Sequence, residues 1–295
     1  MAHRRSVLLL CLLVLLLLVV LVLAVGPSHL ISNGRDGIDR IKQLAEDRTV
    51  LVALLVTIGG VVSLWYTRQR LKDSANRAER FGNAVERLGN ESLDVRLAGV
   101  FALERLSNDS AAEYRSVVET LCRFARDRSV PSTVPAPLDV RTAGAILARR
   151  RELRDPYRLD LRGANFSEAR DLSKARFGGA NLIRATLAFA DLEKANLVNA
   201  DLAEADLTGA NLAGANLTGA NLSGAVLTKA NLCEAVLRWT ELDEANLTEA
   251  DLLAADLFGA SLYRATLTGV LNWPVEDWQI VMGLSTVRGV PAFPT

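Results

Sequence analysis

The side chains that most often carry catalysis or hold a metal are few and scattered in this sequence. Its only histidines, His3 and His29, precede the predicted folded region, so chemistry that needs a histidine base there is excluded. The three cysteines, Cys11, Cys122 and Cys233, lie far apart, and none has a second Cys or His at the spacing of a zinc site. Their odd number and wide separation fit a reducing compartment.

Motifs that position a reactive group do not appear either. There is no phosphate-binding loop, nucleophile–base pair or glycine-rich strand-to-helix turn, and the acidic side chains are spaced for a solvated surface. We therefore expect a protein that is not an enzyme and that binds no metal or cofactor.

Charge is balanced overall but uneven along the chain. The 34 basic and 34 acidic residues give a formal net charge of zero, so no direct binding of nucleic acid is expected. Residues 191–256, however, contain twelve acidic and three basic side chains.

The first apolar segment predicts a membrane span. Val7 to Val25 is nineteen uncharged residues after Arg4 and Arg5, and as a helix it would be about 28 Å long, close to the thickness of the hydrocarbon core. A cleaved signal peptide is the alternative, because Ala24-Val25-Gly26 loosely resembles a cleavage site. Signal cores are typically about 7–15 residues long, which favours a retained span.

A second uncharged segment, Val50 to Tyr66, closes with two aromatic residues that suit a membrane interface. A predicted juxtamembrane basic cluster follows it: Arg68, Arg70, Lys72, Arg77 and Arg80. The cluster could bind anionic lipid, at about 1 kcal/mol for each residue, but an ordinary orientation signal is favoured. With Arg4 and Arg5 it predicts a two-span integral protein of the cell membrane with both termini in the cytoplasm.

Residues 67 to about 152 show apolar residues at helical spacing and a weak internal duplication. The sequence from Leu93 to Gly99 (LDVRLAG) recurs from Leu138 to Gly144 (LDVRTAG), forty-five residues later. This predicts a small helical module of two related hairpins. The paired charges Asp94/Arg96 and Asp139/Arg141 are expected to be solvated at helix starts, in local ion pairs.

From Ala175 to Gly269 the chain repeats every five residues for nineteen units. Alanine holds the first position and leucine the third in eighteen units each, and the second is Asn or Asp in twelve. Burying one leucine yields roughly 1.5–3 kcal/mol, whereas ordering five residues of backbone costs roughly 5–10 kcal/mol. Units must therefore share a core, as in a solenoid.

Glycines at the fifth position of the units are expected to point outward, where any small residue would serve. Three looser units precede, with Ala169 as a one-residue insertion.

This pattern resembles the pentapeptide-repeat family, whose consensus is A(D/N)LXX. The resemblance implies a right-handed quadrilateral parallel β-helix with twenty residues per coil, in which the leucine and alanine point inward. It also implies outward ion pairs, Arg184 over Glu204, Lys229 over Glu249 and Glu244 over Arg264. The part before the repeats is similar to membrane-attached bacterial members of the family.

The pattern breaks at residues 270–274, after which Val275, Trp278, Val281 and Met282 recur at helical spacing. We expect a short helix that covers the open end of the β-helix. Nearby, a twenty-residue coil gathers a candidate surface for a protein partner or a homodimer: Val236, Trp239, Leu253, Phe258 and Tyr263. The alternative, that the terminal helix folds back over these residues, stays open.

The predicted architecture is a transmembrane helical hairpin, a small all-α module, the β-helix and a capping helix. Its segments are 1–25 (first span), 26–48 (extracytoplasmic loop), 49–66 (second span), 67–156 (helical module), 157–269 (β-helix) and 270–295 (cap and tail). The leading hypothesis is a non-catalytic membrane-anchored scaffold for a protein partner. The alternatives are a DNA-mimic regulator or protector of DNA gyrase, as some members of the resembled family are, and a membrane signal sensor.

Overall fold

The computed structural model describes residues 36–109, 112–129, 135–150, 158–273, 283 and 286–289, with the backbone alone for residues 36–51, 54 and 55. The predicted first span, its signal-peptide alternative and the predicted C-terminal helix lie outside the described residues. The chain forms two compact units, Met1–Arg77 and Ala78–Thr295.

One long helix, α1 (Asp36–Leu88), carries the predicted second span. It begins inside the segment predicted as an extracytoplasmic loop. The side chains of Val56, Val61 and Leu64 on α1 are exposed apolar groups. Within the residues described, no helix combines the length and apolar content needed to cross a bilayer. The two-span hairpin therefore stays a prediction.

The second unit begins with a helical module made of the end of α1 and three further helices. These are α2 (Leu93–Asp109), α3 (Tyr114–Asp127) and α4 (Leu138–Ala148). They bury Leu103, Val118, Leu121 and Val140 in a common core. The predicted helices are confirmed here.

The charged side chains of the duplicated motif are not all solvated at helix starts, as was expected. Arg96 and Asp139 are buried, and the Arg96 Nε donates to Asp139 Oδ2 over 2.5 Å, joining α2 to α4. Arg96 also donates to the carbonyls of Asn90 and Glu91, at 3.0 and 2.6 Å. The expectation of local ion pairs was wrong because the partners lie 43 residues apart, one in each copy of the motif.

Residues 158–273 form a parallel β-helix, held by bridges between residues twenty apart. One column of bridges runs Asn181, Asp201, Asn221, Glu241 and Ser261. The first and third positions of the regular units are buried, so the predicted coil and its inward alanines and leucines are confirmed. At Thr240, the one unit without a first-position alanine, the buried hydroxyl donates to the Leu217 carbonyl over 2.9 Å.

Each unit turns the chain through a corner with φ > 0 at its fifth position. In a representative unit, the Ala185 N–H donates to the Leu182 carbonyl over 2.9 Å and Arg184 has φ 57°. This is the signature of a type II turn, which favours glycine. The expectation that any small residue would serve was wrong: the requirement is for backbone conformation, and non-glycine residues meet it at a steric cost.

Asn or Asp at the second position accepts a hydrogen bond inside its own unit. Asn181 Oδ1, Asp191 Oδ1 and Asn196 Oδ1 each accept the backbone N–H two residues later, at 3.1–3.3 Å. This local bond pre-forms the turn, which is why these side chains recur at that position.

The one-residue insertion near the start of the repeats was predicted at Ala169, but it lies just after that residue. Ala169 is buried and its carbonyl accepts the N–H of Asp191, as first-position alanines do elsewhere. The extra residue is therefore taken up by a 3₁₀ turn at Arg170–Leu172. Before it, bridge partners such as Asp160 and Asn181 lie twenty-one residues apart.

The helical module covers the first coil and satisfies its exposed backbone edge. The guanidinium of Arg126 donates to the Asp160 carbonyl over 2.6 Å, and the Arg176 N–H donates to the Ala148 carbonyl over 2.9 Å. Against the core, a Cβ on Gly144 would lie 2.6 Å from the Phe166 ring, so only glycine allows α4 to approach. Helices and β-helix therefore share one hydrophobic core.

At the C-terminal end of the β-helix, Arg288 forms a parallel β-bridge with Thr266. This bridge extends one face of the β-helix beyond its last coil. The Leu267 N–H donates to the Arg288 carbonyl over 2.8 Å.

Candidate functional site

One face of the β-helix carries an exposed aromatic pair. This aromatic face is built from units 175–179, 195–199, 215–219, 235–239 and 255–259, whose second positions form one column of bridges. Trp239 is 59% exposed and Phe258 37% exposed. Their ring centroids are 5.3 Å apart and their planes meet at 83°, an edge-to-face arrangement that aromatic pairs favour.

Trp239 is held in place by the glycine that follows it one coil later. It occupies the fifth position of its unit, with φ 57°, and its ring lies over Gly259. A Cβ on Gly259 would overlap the indole ring, so the flat packing of Trp239 requires glycine there. The indole is therefore positioned by the backbone before any partner binds.

Polar groups flank the aromatic pair on the same face. Arg238 forms an ion pair with Asp256, which lies two residues before Phe258 in the sequence. Val236 is half-buried between Asn216 and Asp256 in the column of bridges. An apolar centre with a charged edge is typical of a protein-binding surface.

The remaining predicted partner residues lie on the two adjoining faces. Leu253 and Tyr263 are both exposed, and the Arg264 guanidinium lies 5.0 Å from the Tyr263 ring centroid. Thus the structure places the five predicted residues on three consecutive faces near the C-terminal end of the β-helix, and Val236 contributes least exposed surface.

Sequence reasoning missed a further exposed aromatic residue of the β-helix. Phe189, on the face opposite the aromatic face, is 50% exposed, and its ring covers Gly209 in the same way as Trp239 covers Gly259. An aromatic residue at the fifth position followed by glycine twenty residues later is the signal that would have identified it.

The predicted juxtamembrane basic cluster lies on α1 itself, after the segment predicted as the second span. Arg68, Arg70 and Lys72 are exposed, and Arg77 is half-buried. Arg70 donates to the Tyr66 hydroxyl over 2.9 Å and lies 4.7 Å from its ring centroid. Arg80 belongs to the second unit and lines a cleft of the helical module.

The acidic excess of the β-helix is partly neutralised by ion pairs between side chains of successive coils. The predicted ion pairs are present: Arg184–Glu204 at 2.8 Å, Lys229–Glu249 at 3.6 Å and Arg264–Glu244 at 3.5 Å. Hydrogen bonds from Arg184 lower the pKa of the Glu204 carboxyl. Aspartates at the second position, such as Asp206, accept a backbone N–H group within their own turns.

Nothing among the described residues resembles a metal centre, since no three His, Cys, Asp or Glu side chains converge there. Cys122 is buried in the helical module, and burial raises the pKa of its thiol to about 12.

The repeat pattern and this geometry define the class of protein. Eight copies of the family model described as Pentapeptide repeats match the chain, at residues 160–197, 171–209, 200–238 and 235–271. The chain belongs to the pentapeptide-repeat family through this segment, and the fold of the segment is the right-handed β-helix of that family.

Solved structures of other repeat proteins are similar in this region. HetL, a pentapeptide repeat protein involved in heterocyst differentiation regulation from Nostoc sp. strain PCC 7120, is 38% identical over 38% of this chain, with a TM-score of 0.26. The chain spans 57% of the length of HetL. The protein alr5209 from Nostoc PCC 7120 is 33% identical over 37% of this chain and 83% of its own, with a TM-score of 0.29. No curated protein matches the chain.

Proposed function

We propose that this protein is a non-catalytic, membrane-anchored scaffold that presents a rigid β-helix to a protein partner in the cytoplasm. The observation that carries the proposal is the exposed Trp239–Phe258 pair, positioned on an unbroken ladder of backbone hydrogen bonds. Fixed aromatic groups lose little conformational entropy on binding, so they are effective anchors of protein interfaces.

The location of the pair supports binding by a protein. The rings lie on a straight face beside the Arg238–Asp256 ion pair, with Leu253 and Tyr263 at either side. Exposed side chains of this kind suit a large complementary partner more than a small molecule, which would need a concave pocket.

Affinity capture tests the scaffold with a matched control. Tagged full-length protein, solubilised from membranes in detergent, is compared as wild type, as the double variant Trp239→Ala/Phe258→Ala and as Phe189→Ala. We expect a specific partner with wild type and Phe189→Ala, and a loss of about tenfold or more with the double variant. Failure to capture any specific partner, or equal losses in both variants, would contradict the proposal.

The membrane anchor is tested separately by fractionation. The full-length chain should sediment with membranes, resist extraction by alkaline carbonate and be released by detergent, because an apolar span holds protein by hydrophobic burial. A reporter fused after Thr295 should be active only in the cytoplasm. Release by carbonate would exclude the integral anchor without affecting the scaffold proposal.

The DNA-mimic alternative is not favoured by the geometry of the acidic residues. Asp201 and Asp206 accept backbone N–H groups in their own turns, and Glu204 pairs with Arg184. A supercoiling assay with the purified chain would support that alternative if DNA gyrase were inhibited or protected.

A further inference from the structure

The helical module contains an open cleft that none of the functions above uses. It lies between the end of α1 and α2 and has a volume of about 830 Å³. Small and apolar side chains line its centre, namely Ala84, Ala98, Phe101, Ala102 and Leu106. This volume is in the range of concave ligand-binding sites.

An aromatic residue stands exposed in this cleft. Phe101 is 51% exposed, whereas Val100 and Leu103 on the same helix are fully buried. Its ring is therefore not needed to fill the core of the module. An exposed phenylalanine among small residues offers a partner an apolar contact that excludes water.

Three arginines surround the same cleft. Arg80 and Arg87 lie on α1 and Arg105 lies on α2. All three are exposed, and in the part of the chain that the structure describes none forms a side-chain hydrogen bond or ion pair. The arginines are thus available for carboxylates of a ligand, to which guanidinium groups bind in a bidentate geometry.

The acidic groups of the cleft do not cancel these charges. Glu104 and Asp109 also line it, but Glu104 is paired with Arg149 at 3.5 Å. The lining itself holds three guanidinium groups and two carboxylates, so it carries one net positive charge, and Arg149, outside the lining, offsets Glu104. A positive potential around an apolar centre selects a negatively charged, amphipathic ligand.

We propose that this cleft binds an acidic amphipathic segment of a partner protein, most simply a helix. An apolar side chain of the segment would contact Phe101 and the alanines, while its carboxylates meet Arg80, Arg87 and Arg105. The alanines allow the backbone of such a segment to approach closely. This site is separate from the aromatic face of the β-helix and would take a different segment or a different partner.

Site-specific photocrosslinking in cells tests the proposal. The photoreactive residue p-benzoyl-phenylalanine replaces Phe101 in the full-length chain, and the crosslinked peptide is identified by mass spectrometry. We expect adducts on acidic protein segments. The double charge reversal Arg80→Glu/Arg105→Glu should reduce their yield about tenfold or more, because it turns attraction into repulsion.

Two controls separate the cleft from a merely exposed surface. The same photoreactive residue at Leu138, another exposed apolar position of the module, should not give these adducts. The reversal Arg115→Glu/Arg123→Glu on the exposed side of α3 should leave them unchanged. Melting curves of all variants should agree closely, since the altered side chains are exposed.

Several outcomes would overturn the proposal. Adducts to lipid would assign the arginines to a membrane surface, and adducts to a second copy of this chain would assign the cleft to self-association. The proposal would be refuted by adducts on segments without acidic residues or by the absence of any adduct. It would also be refuted if the adduct yield were the same in the charge-reversal variant as in the wild type.

Discussion

At the residue scale, the fifth position of each unit decides which side chains the β-helix can display. Its backbone is left-handed at Arg184, Phe189 and Trp239 alike, and a side chain there lies over the fifth position of the next coil. Glycine therefore has two roles, in relieving backbone strain and in leaving room for the side chain one coil earlier. Gly209 and Gly259 have both.

Alanine substitution should separate these two roles. Gly179→Ala and Gly259→Ala both place a Cβ at a positive φ, of 64° and 70°, which costs about 1–2 kcal/mol. A Cβ at Gly179 meets nothing within 4 Å, whereas at Gly259 it overlaps the Trp239 ring. We therefore expect Gly259→Ala to lose a further 1–3 kcal/mol or so of unfolding free energy. Denaturant titration measures both, and equal losses would show that Trp239 is not packed on Gly259.

The two described cysteines should differ in reactivity. Burial raises the pKa of Cys122 to about 12 from an ordinary value of 9.0, so its thiolate is about a thousandfold scarcer at a given pH, and the group is enclosed as well. Cys233 is only half-buried, although partial burial raises its pKa too. In a Cys11→Ser background, a maleimide should label Cys233 in the folded protein and Cys122 only after unfolding. Equal labelling rates would contradict the burial of Cys122.

At the element scale, the buried Arg96–Asp139 pair is the link between the two copies of the duplicated motif. It joins the start of α2 to the start of α4, and its carboxylate also accepts the Val140 N–H over 3.1 Å. Removing one partner leaves a buried charge without compensation, which is far more costly than removing both.

We expect Asp139→Ala to lower the unfolding free energy by about 3–5 kcal/mol. The double variant Arg96→Met/Asp139→Leu should recover much of that loss, because it removes both charges and keeps the volume. Asp94→Ala, at the exposed acidic residue of the first copy, should change stability by less than about 0.5 kcal/mol. A large loss for Asp94→Ala, or none for Asp139→Ala, would refute this account.

The sequence was informative where its period was strict and uninformative where contacts are long-range. The unbroken five-residue period, with leucines such as Leu182, Leu187 and Leu192, carried the resemblance to the pentapeptide-repeat family, and that resemblance implied the coil of twenty residues. The role of Asp139 could not be predicted, because its partner is 43 residues away and a charge near a helix start is usually solvated. For the candidate site, Trp239 and Phe258 were predicted as neighbours. Phe189 was overlooked although its fifth position marks it as outward, whereas the cleft around Phe101 depends on helix packing that the sequence does not show.

At the scale of the whole second unit, the helical module protects the edge at which the β-helix begins. Backbone groups of the first coil would otherwise lie open to pairing with another chain. Arg126, Ser129 and Ala148 supply their partners instead. Asp160 is central to this junction, with Arg126 at 2.7 Å and Arg162 at 2.8 Å from its carboxylate.

The junction should therefore depend on pH. The hydrogen bond from Arg162 lowers the pKa of Asp160 below its ordinary value of 3.8, with Arg126 adding to the effect. A lowered folded-state pKa means that the stabilisation is present above 3.8 and lost as pH falls through the lower folded value. Asp160→Asn should be less stable than wild type at about pH 7, and the difference should shrink as pH falls below 3.8. A difference that persists in acid would show that the carboxylate charge is not responsible.

The coil of twenty residues built from units of five also governs how this protein can change over generations. Gain or loss of one unit, between Asn211 and Val226 for example, turns everything downstream by a quarter of a rotation about the long axis. After the gain of one unit, Trp239 would lie on the side of the β-helix where Arg184 and Glu204 now stand, and Gly259 would turn with it. Duplication of four units lengthens the molecule by one coil and returns every downstream side chain to its original side. Selection on the aromatic face should therefore admit insertions of twenty residues and reject those of five.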